Sequence, residues 1–183
     1  DDPKFQITIS APTNRDAHAI GVAVREQMRA LGRLGPDQHT VSVALRGETG
    51  EQPLALAAGD ELRVFRRIVV DRQHFASNGD VVTVLDANAD GIKARNEDGR
   101  EAVITWDQFR EQRHTPIRLA YGYSLTIDAS QGITSDEHIN AMVDGTRSVD
   151  GRKAYPAESR NRDTTWMVVN EAAERRQLAS RIP

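Results

Sequence analysis

The stretch YGYSLTIDASQGITSDEHINAM, Tyr121–Met142, decides how the rest of the chain is read. Ser124-Leu125-Thr126-Ile127 reads as a short strand. It runs directly into Ser130-Gln131-Gly132, followed by Ile133-Thr134. Short hydroxyls and a glycine after a strand leave backbone amides open to a close-approaching anion. Taken alone, the same three residues also make an ordinary tight turn.

Upstream, Phe5 to about Gly35 supplies the matching half of an α/β layer. Phe5-Gln6-Ile7-Thr8-Ile9 alternates as a strand does. Thr13 or Asn14 caps the helix that follows. Ala17, Ile20, Val24, Met28 and Leu31 recur at helical spacing and form its apolar face, and Gly32 and Gly35 stop it.

Between these halves, Val41 to His114 reads as short strands cut by turns. Val41–Leu45 is a possible strand and Glu48–Pro53 a loop. Leu62–Arg66, Val81–Leu85, Ile92–Arg95 and Ala102–Trp106 follow, with Gly59-Asp60, Asn78-Gly79, Asp90-Gly91 and Asp98-Gly99 as punctuation. That spacing predicts a small antiparallel barrel. After it the chain returns to α/β character, with a strand at Trp166–Val169 and a polar helix over Glu171–Ser180. The fold class is therefore α/β, interrupted by an inserted β barrel: residues 1–40, 41–114 and 115–183.

Composition limits the chemistry. The chain has 183 residues, 38% hydrophobic and 28% charged, with net charge -3, so a polyanion would need a local basic patch. There is no cysteine, which removes disulfides and thiolate metal sites. No stretch approaches the ~20 apolar residues of a membrane span. The five histidines are scattered without metal-ligand spacing, so no metal site is expected. No GxSxG and no GxxxxGK[ST] occurs, and no self-contained enzyme is expected. Asp1-Asp2-Pro3 has neither a Met nor a leader, and the chain reads as a piece of something longer.

Three stretches carry a family resemblance. Ile9–Asn14 with the helix through Gly35 resembles the opening of the second motor domain of superfamily 1 helicases of the RecD type. Gly122–Thr134 resembles their motif V, and Tyr155–Asp163 their motif VI. The chain looks most like the helicase-like region of a conjugative relaxase of the F-plasmid type. The resemblance implies a RecA-like half-domain (2A) interrupted by an SH3-like barrel (2B).

It also implies site residues. Thr126, Ser130 and Thr134, with Thr13 and Asn14 at the helix start, would hold a single-stranded DNA backbone without reading its sequence. Gln131, Gly132 and Arg160 would face a nucleotide, with Arg160 as the motif VI arginine of an active copy. ATP and Mg2+ enter only with a first motor domain; this chain alone needs no cofactor. Active relatives commonly carry His-Lys where Asp128-Ala129 stands here. That change points to a vestigial helicase region, binding single-stranded DNA and serving as a type IV secretion translocation signal. The implied partners are single-stranded DNA, the other domains of the parent relaxase and a secretion coupling protein. The implied location is the bacterial cytoplasm, with passage to a recipient cell.

Two readings stand beside it: the second half of a working 5′-3′ helicase, and a protein-docking module. Other features have plainer readings. Tyr121 and Tyr123 read as core or barrel-rim residues, Trp106 and Trp166 as packed, and Arg162 as a surface charge. Arg160 reads equally as surface charge or nucleotide ligand. Arg63, Arg66, Arg67 and Arg72 read as a solvated face or a phosphate track.

Overall fold

The computed structural model describes residues 6–45, 48–130, 133–142 and 161–169. In chain order the elements are β1 (Ile7–Ala11), α1 (Asn14–Ala30), β2 (Asp37–Val43), β3 (Gln52–Ala57), β4 (Glu61–Val64), β5 (Ile68–Val70) and β6 (Gln73–Ala76). They continue with β7 (Val81–Ala87), β8 (Gly91–Arg95), β9 (Glu101–Thr105), β10 (Leu119–Tyr121), β11 (Leu125–Thr126), β12 (Ser135–Met142) and β13 (Asn161–Val169). Short 3-10 turns stand at Trp106–Phe109 and Asp128–Ser130. They form two compact units: Asp1–Ile20 with Ser124–Pro183, and Gly21–Tyr123.

The first unit is built on a parallel sheet in the order β11-β1-β12-β13. β11 is only two residues long, yet it fixes the sheet by pairing Leu125 with Ser10 and Thr126 with Ala11. β12 lies on the other side of β1, with Ile7 opposite Glu137 and Ser10 opposite Asn140. Parallel strands are normally covered on both faces and read as apolar runs. β12, SDEHINAM, does not, and the structure shows where its polar residues go. His138 and Asn140 are fully buried, and His138 Nε2 lies 2.8 Å from the buried Ser10 Oγ. Trp166, expected to pack, is 55% exposed on β13. The helix expected over Glu171–Ser180 lies outside the described residues.

The second unit is antiparallel throughout its main sheet, ordered β10-β4-β7-β8-β9, with separate hairpins β2–β3 and β5–β6. Alternation explains its core: Leu62 and Val64, Val82 and Val84, Ala102 and Ile104 all point inward. A bulge between Val84 and Asp86 shifts the phase, so the next buried residue of β7 is Ala87. Gly79 and Gly99 turn the chain with φ of 98° and 79°, as their Asn-Gly and Asp-Gly signals predict. β3 takes only Gln52 and Pro53 from the expected Glu48–Pro53 loop, and the sequence reading places no strand at β3, β5, β6 or β10.

α1 ends in a Schellman motif. The Arg33 amide donates to Met28 O and the Gly32 amide to Arg29 O, with Gly32 at φ 68°. Its buried line is Ala17, Gly21 and Arg25, whereas Leu31, assigned to the apolar face, is 68% exposed.

Candidate nucleic-acid interface

The first unit's sheet sorts the expected DNA contacts by end. Ala11 pairs with Thr126, and the Ile127 amide donates to Ala11 O at 2.9 Å. The C-terminal ends of β1 and β11 are therefore neighbours. Thr13 and Asn14, just past β1, share that sheet edge with Thr126. In open α/β sheets this carboxyl edge is where ligands bind.

Thr13, rather than Asn14, is the N-cap. Its Oγ1 accepts from the Asp16 amide at 3.1 Å and donates to Asp16 Oδ2 at 2.7 Å. Asp16 suits the helix dipole but competes with a phosphate for the same positive end. Thr126 Oγ1 accepts from the Ala129 amide at 3.2 Å, which secures the 3-10 turn. Its hydroxyl proton has no acceptor among the described residues and can be donated outward.

Ser130 differs from expectation. It is fully buried, and its hydroxyl donates to Ile127 O at 2.7 Å. Its oxygen closes the turn and is not presented to solvent. The exposed residues of that turn are Asp128 and Ala129. They put an anion and a methyl group beside Thr126.

Thr134 is exposed but belongs to the opposite edge. It precedes β12, and two residues later the Asp136 amide donates to Gln6 O, at the start of β1. The span from Gln6 to Ala11 along a strand is about 17 Å at ~3.3 Å per residue. Thr13, Asn14 and Thr126 come together; Thr134 stands apart. Gln131, Gly132 and Arg160 lie outside the described residues. Arg162 is exposed and meets Asp136 at 3.4 Å, a weak surface pair.

Sequence reasoning missed a charged hub in the second unit. The Arg25 guanidinium meets Asp60 through Nε at 2.8 Å and Nη2 at 2.9 Å, and meets Asp37 at 2.6 Å. The Tyr123 hydroxyl donates to Asp60 at 3.0 Å, and Arg25 stands 5.3 Å over the Tyr121 ring. Burial opposes charge on Arg25, but its bonds to Asp60 and Asp37 outweigh this and raise its pKa. Asp37 is lowered, first by its hydrogen bond with Arg25. Burial pushes Tyr121 up to about 12. The available signal was the spacing: Arg25 continues the Ala17–Gly21 line, where an arginine is out of place unless paired. The hub flanks a cavity of about 580 Å³ lined by Val22, Arg29, Thr40, Pro53 and Tyr121, among others. Among the described residues no cluster of His, Asp or Glu is arranged to hold a metal ion, and no helix is long and apolar enough to cross a membrane.

No protein-family model matches the sequence, and no curated protein matches it. Solved structures do. Bacteroides Pif1 bound to ssDNA is similar at a TM-score of 0.59 and 16% identity, over 95% of this chain and 45% of that one. Bacteroides Pif1 helicase in complex with ADP-AlF3 and ssDNA gives 0.56 and 15%, over 98% and 46%. Pif1 helicase from Candida albicans gives 0.54 and 16%, over 98% and 51%. The chain spans about half the length of these proteins. At such identity the likeness is one of fold: mixed α/β, mostly strand, similar over nearly the whole chain to part of a Pif1 helicase.

Proposed function

We propose that this chain is a helicase-like region that grips single-stranded DNA through its backbone, without sequence preference and without turnover of its own. Residues 1–40 and 115–183 would form the RecA-like half-domain 2A, and 41–114 the SH3-like barrel 2B. The observation that carries the reading is the register Ala11↔Thr126, which brings Thr13, Asn14 and Thr126 to one sheet edge. The likeness to Pif1 bound to ssDNA supports it, as does the motif V resemblance. Asp16 and Asp128 beside those hydroxyls make the grip weak, in keeping with a vestigial copy in a conjugative relaxase. A translocation signal for type IV secretion, read by a coupling protein, is the finer form of this proposal.

Fluorescence anisotropy with a labelled oligothymidine tests it. Binding is expected at low salt and should fall with log salt at about 0.7 per neutralised phosphate. A sequence change in the oligonucleotide should alter affinity little. Absence of binding at low salt would remove the reading and leave a docking module in front.

A second reading has support from the Pif1 structure that holds ADP-AlF3. In it Arg160, with Gln131 and Gly132, completes an ATP site built with a first motor domain. Arg160→Ala in the full-length parent should then abolish ATP turnover while leaving oligonucleotide affinity unchanged.

A further inference from the structure

We propose that hairpin β5–β6 and its flanking arginines form a second contact for the phosphate backbone of a single-stranded nucleic acid. The inference rests on the proposed function and adds a surface to it.

Charge is the first argument. Between Leu62 and Gly79 stand four arginines against one aspartate, net +3, in a chain whose net charge is -3. Elsewhere in the second unit Arg25, Arg29, Arg95, Arg110 and Arg118 each hold a carboxylate. Arg66, Arg67 and Arg72 make no hydrogen bond or ion pair among the described residues.

The turn is the second. Asp71 and Arg72 both take positive φ, 53° and 62°, in a two-residue turn that ordinarily favours Asn, Asp or Gly. An arginine there is disfavoured by sterics alone. What it achieves is a guanidinium at the hairpin tip.

Rigidity is the third. Ile68, Phe75 and Ala76 are buried, and side chains hold the hairpin's carbonyls: Gln108 that of Val69, Arg100 those of Val70 and His74, Asn96 that of Phe75. Val69 pairs with His74, and both are exposed, so the outer face is fixed and open to solvent. The His74 imidazole on that face is bonded to Ser77 Oγ at 3.0 Å, and Arg66, Arg67 and Arg72 flank the face in sequence. The unpaired arginines favour contact to phosphates, which is indifferent to sequence.

The test is a salt titration of labelled oligothymidine binding by the full chain. The variant Arg66→Gln/Arg67→Gln/Arg72→Gln should lose about 2 from the log–log salt slope, at ~0.7 per phosphate. Its affinity at low salt should fall at least tenfold. Arg72→Gly suits the positive φ, so it should melt no lower than the parent yet lose about 0.7 of slope. An unchanged slope with affinity within twofold in both variants would overturn the hairpin contact. If Thr13→Val/Thr126→Val abolishes binding while the hairpin variants bind normally, the proposed function stands and the hairpin falls. No binding by the parent chain removes both. Displacement of the oligonucleotide by polyglutamate at equal charge concentration would overturn the nucleic-acid assignment in favour of an acidic protein.

Discussion

Arg25 satisfies two carboxylates at once, one of them fully buried. Asp60 also accepts the Ala57 amide at 2.7 Å, so its carboxylate is fixed on every side. Replacing Arg25 by Met removes the cation and leaves a buried anion. The expected loss is about 3–5 kcal/mol of unfolding free energy, read from the urea midpoint. Arg25→Met/Asp60→Leu should recover only part of it: the buried anion is gone, but the Ala57 amide and the Tyr123 hydroxyl lose their acceptor. A double variant as unstable as the single one would mean that the pair's shape and hydrogen bonds, rather than its charge, are what matter.

At the scale of elements, close packing has its own test. A Cβ on Gly91 would fall on the Ile104 carbonyl oxygen and within 2.8 Å of Thr105 Cα, both backbone atoms of the neighbouring strand. Gly91→Ala should therefore force β8 from β9 and cost about 1–3 kcal/mol, seen as a lowered melting temperature. Gly99→Ala probes a different effect, since its Cβ would meet open space and only its positive φ is strained. The elements also divide by legibility. β4, β7, β8 and β9 were readable because apolar residues alternate and Gly turns bound them. β12 was not, because Asp136, Glu137, His138 and Asn140 break the apolar run expected of a parallel strand. β3 was hidden by Pro53, and β5 and β6 by their brevity and their arginines. The helix cap was legible as a pair of candidates, and the capping bonds chose Thr13. Ser130 was misread because a hydroxyl's direction depends on the turn around it, which residue type alone does not fix. The Arg25 hub joins residues 12 and 35 positions apart, a pairing no local pattern encodes.

Across the whole molecule the two units differ in how they are held. The second buries a continuous apolar cluster running through Val43, Leu54, Leu62, Phe75, Ile104 and Leu119. Among the described residues of the first, Ile127 and Met142 form a buried apolar pair, and the fully buried Asn140 meets no hydrogen-bond partner for either amide atom. An unsatisfied buried polar group costs about 1–3 kcal/mol. Native-state hydrogen exchange should accordingly find slower amides in β4, β7 and β8 than in β1 and β12. Equal protection would mean that the units open as one. The pairing of Ser10 with Leu125 has a further consequence, for synthesis. β1 leaves the ribosome well before β11 and β12, its partners in the sheet. At about 5–20 residues per second it stands unpaired for on the order of ten seconds, while everything between them is made and can fold. The newborn chain must carry an orphaned, aggregation-prone ribbon through that interval, and a chaperone that shields extended segments would act there.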